Sequence, residues 1–140
     1  MATPIVDGTL SREWTKFDPD SIWAAQALPN ASDMTSAEFM AGYDQGKVGV
    51  QIEADTTVDI ADGESLLIEL IHDTSTGGDY LDAITLYDQT ASGAAINFAV
   101  DEEIIAYIPE DVGPYCKLKI TVSADESGDD INAYLRFLSN

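Results

Sequence analysis

Between Lys47 and Ile60 the chain alternates. Val48, Val50, Ile52, Ala54, Val58 and Ile60 take the even positions, interrupted by Thr56, while Lys47, Gly49, Gln51, Glu53, Asp55, Thr57 and Asp59 take the odd ones. Successive side chains of a strand point to opposite faces, so the pattern predicts one buried and one wetted face. That is the habit of a strand in an antiparallel sheet. The stretch is long for a single strand, which predicts a bend or break near Asp55–Thr57.

The same period returns near the C-terminus. Over Tyr115–Val122, Cys116, Leu118, Ile120 and Val122 share one face and Tyr115, Lys117, Lys119 and Thr121 the other. Over Ile131–Leu138 the inner set is Ile131, Ala133, Leu135 and Phe137, and the outer set includes Asn132, Tyr134 and Arg136. Glu64–His72 differs in being apolar on both sides, which predicts a central strand covered on both faces. Asp62-Gly63 before it is a hairpin signal. Shorter strands are expected over Ser36–Met40, Asp82–Asp88, Ala95–Val100 and Glu103–Ile108, divided by glycine- and proline-bearing turns. With no long helix in view, the expectation is an all-β fold. Residues 31–140 read as an eight-stranded antiparallel jelly-roll or β-sandwich.

Residues 1–30 read as an N-terminal arm. Asp18-Pro19-Asp20-Ser21 is a helix-start signal, and a short helical turn through Ile22–Leu28 would end at Pro29-Asn30. The arm carries Arg12, Trp14, Lys16, Phe17 and Trp23, hence both tryptophans of the chain. It either folds back over the domain's own core or lies along a neighbour.

Composition narrows the function. The chain has 140 residues, enough for one domain with a core. Its 26 acids against 6 bases give a formal net charge of −20. Such a body is repelled by phosphate backbones and anionic membranes, so neither nucleic acid nor membrane is an expected partner. No apolar stretch approaches the ~20 residues of a membrane-spanning helix. Met1–Asp7 shows no basic region leading into an apolar run, so a soluble product made in the cytoplasm, without a visible export route, is expected.

Candidate chemistry is sparse. His72 is the single histidine and Cys116 the single cysteine, and both fall on apolar faces. A histidine metal site or a cysteine cluster is therefore not to be had. No glycine-rich loop precedes a helix, so no nucleotide cofactor is expected. Carboxylates are too abundant for any pair to signal a hydrolase. The loops bearing Asp73, Asp79 and Asp82, and Asp125, Glu126, Asp129 and Asp130, do not match a calcium-binding loop. Scarce bases say more. If the strands bearing Lys117 and Lys119, and Tyr134 and Arg136, were neighbours, they would make a positive, aromatic island on an acidic body. Such an island would neutralise the molecule's own carboxylates or mark where an acidic partner docks.

From about Ala24 to Asn140 the chain resembles the small jelly-roll cement, or decoration, proteins on the outside of tailed-bacteriophage capsids. The resemblance runs through Ala25-Gln26-Ala27, Thr35-Ser36, Gly42 and the strand Val48–Ala54. It continues through Leu66–Leu70 into Asp73-Thr74-Ser75, then Ile108-Pro109, Gly113, Tyr115–Ile120, Gly128 and the terminal strand. The resemblance implies a structural, non-enzymatic role with no cofactor, on the outer capsid surface of a virion. It implies the major capsid protein as partner and a homodimer or homotrimer on the shell. Arg12, Trp14, Lys16, Phe17, Trp23, Lys117, Lys119, Tyr134 and Arg136 are then the candidate partner-binding residues. The alternative is a carbohydrate- or receptor-binding β-sandwich module, driven by aromatic stacking on sugar rings.

Overall fold

A computed structural model describes residues 22–40, 47–109 and 112–138. Arg12, Trp14, Lys16 and Phe17, the Asp18–Ser21 signal and the Gly42–Gly46 turn lie outside them. The described chain is all-β and its paired strands are antiparallel. In order they are β1 (Trp23–Ala27), β2 (Asp33–Thr35), β3 (Phe39–Met40), β4 (Lys47–Ala54), β5 (Val58–Ile60), β6 (Ser65–Asp73), β7 (Asp82–Thr90), β8 (Ile96–Phe98), β9 (Glu103–Tyr107), β10 (Tyr115–Val122) and β11 (Asp130–Leu138).

Among the described residues eleven strands appear where eight were expected, for three local reasons. The long alternating stretch breaks at 55–57 into β4 and β5, as its length predicts. At the break the backbone N–H groups of Asp55 and Thr56 both donate to the carbonyl of Asp130, at 2.9 and 3.3 Å. The strand expected over Ser36–Met40 is reduced to β3 at its end, and β2 lies just before it; both pair with β10. Ser36 between them stays bonded to β10: its N–H donates to the Leu118 carbonyl at 2.9 Å, and its Oγ accepts from the Leu118 N–H at 3.0 Å.

The third reason corrects an expectation. Residues 22–28 are not a helical turn within an arm; they include β1, an edge strand on β11. Trp23 aligns with Ala133 and, partly buried, packs against the core, so it is part of the sandwich. Seven residues ahead of Pro29 close few helical bonds, whereas the β11 edge satisfies the backbone directly. A bulge hides this strand from a period-two reading. Ala25 takes φ 46°, and its N–H donates to Asn132 Oδ1 at 2.6 Å.

A four-stranded sheet in the order β1-β11-β4-β9 faces a five-stranded one built on β2-β10-β6-β7, with β3 also on β10. Between them lie Val50, Ile52, Ala54, Ile131 and Ala133 from the first sheet. Leu66, Ile68, Leu70, Cys116, Leu118, Ile120 and Val122 come from the second, and all are buried. The two-stranded β5–β8 unit adds Val58 and Ile60 to this core. Phe98 of β8 meets Tyr87 of β7 edge to face at 6.0 Å. β6 is central, between β10 and β7, as its composition predicts. Its outer residues Leu67 and Ile71 are only half covered, however. Ile71 aligns with Lys117 of β10.

Candidate functional site

The two sets of basic residues do not meet. Lys117 and Lys119 lie on β10 in one sheet, and Tyr134 and Arg136 on β11 in the other. Each set faces away from the core, so they occupy opposite sides of the sandwich and no single island forms. Period-two reading gives the face of a strand, but which strands become neighbours depends on how the chain crosses between sheets.

On the five-stranded side the lysines are engaged with the molecule's own groups. Lys119 Nζ is 3.8 Å from Asp33 Oδ2. Lys117 Nζ stands 4.6 Å from the centre of the buried Tyr80 ring. Tyr80 donates its hydroxyl to Glu38, which also accepts from Thr76 Oγ1 and from the Gly77 N–H at 2.8 Å. The Gly77 N–H, then Thr76 and Tyr80, hold the Glu38 carboxyl below its ordinary range. Burial, then Glu38, pushes the Tyr80 phenol upward.

The four-stranded side is built differently. Register places Tyr134 beside Gln51, which is beside Ile105, and Arg136 beside Gly49, which is beside Tyr107. Arg136 Nη1 donates to Gln51 Oε1 at 2.9 Å, and Gln51 Nε2 donates to Glu103 Oε2 at 2.6 Å. The amide thus links guanidinium to carboxylate across three strands. It is 3% exposed, although alternation put Gln51 on the wetted face. Tyr134 donates to Glu53 Oε1 at 2.8 Å, and burial together with that carboxylate pushes its phenol up to about 12. Asn132 Nδ2 reaches Asp55 Oδ1 at 3.1 Å.

At the β9 margin the face turns apolar. Ile105 is 37% and Tyr107 61% exposed. Gly49 separates Tyr107 from Arg136 in the register and contributes no side chain between them. A Cβ at Gly49 would come 3.0 Å from the Ala106 carbonyl oxygen, so the close approach of β9 also favours glycine there. The result is a fixed polar row bordered by an exposed ring, the kind of composition that carries binding energy at interfaces. Gly49, Gln51, Glu103, Ile105 and Tyr107 were missed from the sequence. The one available signal was the alternation Glu103-Ile105-Tyr107, which puts an isoleucine and a tyrosine on the side opposite Ile104.

His72 and Cys116 align across β6 and β10, yet they do not form a nucleophile and base. The Gly113 N–H donates to His72 Nδ1 at 3.1 Å, and the Cys116 thiol donates to the Gly113 carbonyl at 3.6 Å. Burial pushes the thiol up to about 11. His72 borders an open cleft of about 490 Å³ with Asp73, Asp79, Asp82 and Leu81. The Asp73 carboxylate there caps its own loop, accepting from the N–H groups of Ser75 at 3.0 Å and Tyr80 at 3.1 Å. Asp125 does the same for Ser127 in the β10–β11 turn. Among the described residues, no group of three or more His, Cys, Asp and Glu side chains is arranged to hold a metal ion.

Comparison with known proteins gives no family: no protein-family profile and no curated protein sequence matches the chain.

Proposed function

We propose that this chain is a non-enzymatic decoration protein that binds the outer surface of a phage capsid and stiffens the mature head. The resemblance described above supplies the partner, the major capsid protein, and a homodimer or homotrimer on the shell. The observation that carries the reading is the Arg136–Gln51–Glu103 row with Tyr107 at its margin. An adhesive surface needs its polar groups fixed beforehand, so that docking orders little that was loose. Several such surfaces in one oligomer make modest contacts additive through effective concentration. The net charge of −20 suits an outward-facing body that stays soluble and clear of nucleic acid. A jelly roll is part of the same proposal, supported by sheets whose neighbours, such as β4 and β11, are far apart in sequence.

Purified protein added to expanded capsids that lack it should bind and raise their melting temperature. Tyr107→Ala and Arg136→Glu should each weaken binding by about tenfold or more, and Lys119→Glu by much less. Arg12, Trp14, Lys16 and Phe17 belong to this proposal as well. A chain shortened to begin at Ile22 keeps β1 and should bind more weakly. Failure to associate with any shell, or equal loss from all three point variants, sinks the reading. The sugar-binding alternative draws on the same exposed Tyr107 ring, and hits on a glycan array abolished by Tyr107→Ala would replace the capsid reading with it.

A further inference from the structure

In the turn that leads into β11, one carboxyl group is placed where a charge does not belong. Glu126 lies in the turn between β10 and β11 and is 5% exposed. The turn is fixed on both sides of it. Its N–H donates to the Pro29 carbonyl at 3.1 Å, and its carbonyl accepts from the Asp129 N–H at 3.0 Å. The side chain is buried, and its Oε2 is shut off from solvent with no hydrogen-bond partner. The charged groups that bear on it are carboxyls: Glu64 from the turn before β6, Asp59 from β5, and Asp129 from its own turn. The 28–30 segment packed against it, Leu28-Pro29-Asn30, offers no titratable group. Asp125 is exposed and bonded to Ser127.

An ionised carboxylate with a bare oxygen among like charges is costly to bury; a neutral acid is much less so. Protonation also turns the orphan oxygen into a donor, and the Ser65–Ser123 bond holds Glu64, the residue before Ser65, against the strand end that leads into this turn. We propose that Glu126 holds a proton and donates it to Glu64, so that a carboxyl–carboxylate bond clasps the β10–β11 turn to the turn preceding β6. The neighbouring backbone fits a clasp. Ser65 N–H donates to Ser123 Oγ at 2.8 Å, and Asp59 N–H donates to Asp129 Oδ2 at 3.1 Å, joining the same segments. Burial, then Glu64, Asp129 and Asp59, push the Glu126 carboxyl up to about 7 from an ordinary 4.5. Its contribution is therefore complete below the unfolded value and is lost as pH rises through the folded one. Above neutrality two adjacent anions remain, and this end of the sandwich loosens.

The test is urea denaturation of the full chain between pH 5 and pH 8, beside Glu126→Gln and Glu64→Gln. The wild-type folding constant should fall, relative to Glu126→Gln, by on the order of tenfold or more across that range. Glu126→Gln should be the more stable of the two at pH 8. Carboxyl ¹³C titration of the wild-type protein, which is decisive even if a variant fails to fold, should give Glu126 a midpoint well above the other glutamates. An ordinary midpoint overturns the clasp. So does a calcium-dependent rise in stability at pH 8 that Glu126→Gln abolishes, since a cation rather than a proton would then join the carboxyls.

Discussion

Glu38 illustrates how much of this molecule is decided by single side chains that meet only after folding. One carboxylate ties Thr76, Gly77 and Tyr80 into a loop, and the charge of Lys117 favours its ionised form. Glu38→Gln removes the charge and one acceptor, so the Gly77 amide should exchange with solvent faster while the core strands keep their protection. Hydrogen exchange read residue by residue checks this. Glu38 and Asp73 both have lowered pKa values, so the order they give the loop is present above the ordinary carboxylate range and lost as pH falls below it. At this scale the sequence was half legible. Alternation placed Lys117, Lys119, Tyr134 and Arg136 on outer faces, and Cys116, Leu118 and Ile120 on an inner one. It said nothing of Glu38 meeting Tyr80 across 42 positions, or of Gln51 closing under Arg136 across 85. Those pairings follow from register between distant strands.

At the scale of elements, legibility tracked regularity. β10 matches its predicted limits because nothing interrupts its period, and its burial alternates without a fault. β1 carries a helical signature in the sequence because the bulge at Ala25 breaks the alternation and leaves only the surrounding proline signals. Asp62-Gly63 makes a turn but not the expected hairpin, because β5 pairs with β8 while β6 pairs with β10 and β7; the turn itself is local. Gly63 takes φ +89°, and the Glu64 N–H closes on the Ala61 carbonyl at 2.9 Å. A Cβ at Gly63 would touch nothing within 4 Å, so the cost of Gly63→Ala is a pure backbone cost. It should destabilise the fold by about 1–2 kcal/mol in chemical denaturation. Gly128→Ala, which meets neither contact nor positive φ, should change little.

For the whole molecule the dominant quantity is charge. Twenty net negative charges on a 15.0 kDa body oppose compaction, and screening shortens the reach of that repulsion to about 3 Å at 1 M salt. Added sodium chloride should therefore raise the melting temperature, in contrast to proteins stabilised by many surface ion pairs. The interior carries its own gauge of this. Cys116 is wholly enclosed between the sheets and is the chain's single cysteine. While the sheets stay closed a thiol reagent finds nothing to label, and each parting of the layers presents one sulfur. The labelling rate is thus a clock for breathing of the sandwich, and it should slow as salt rises. The same silence leaves the surface free for a single introduced thiol at any chosen position, read without background from within.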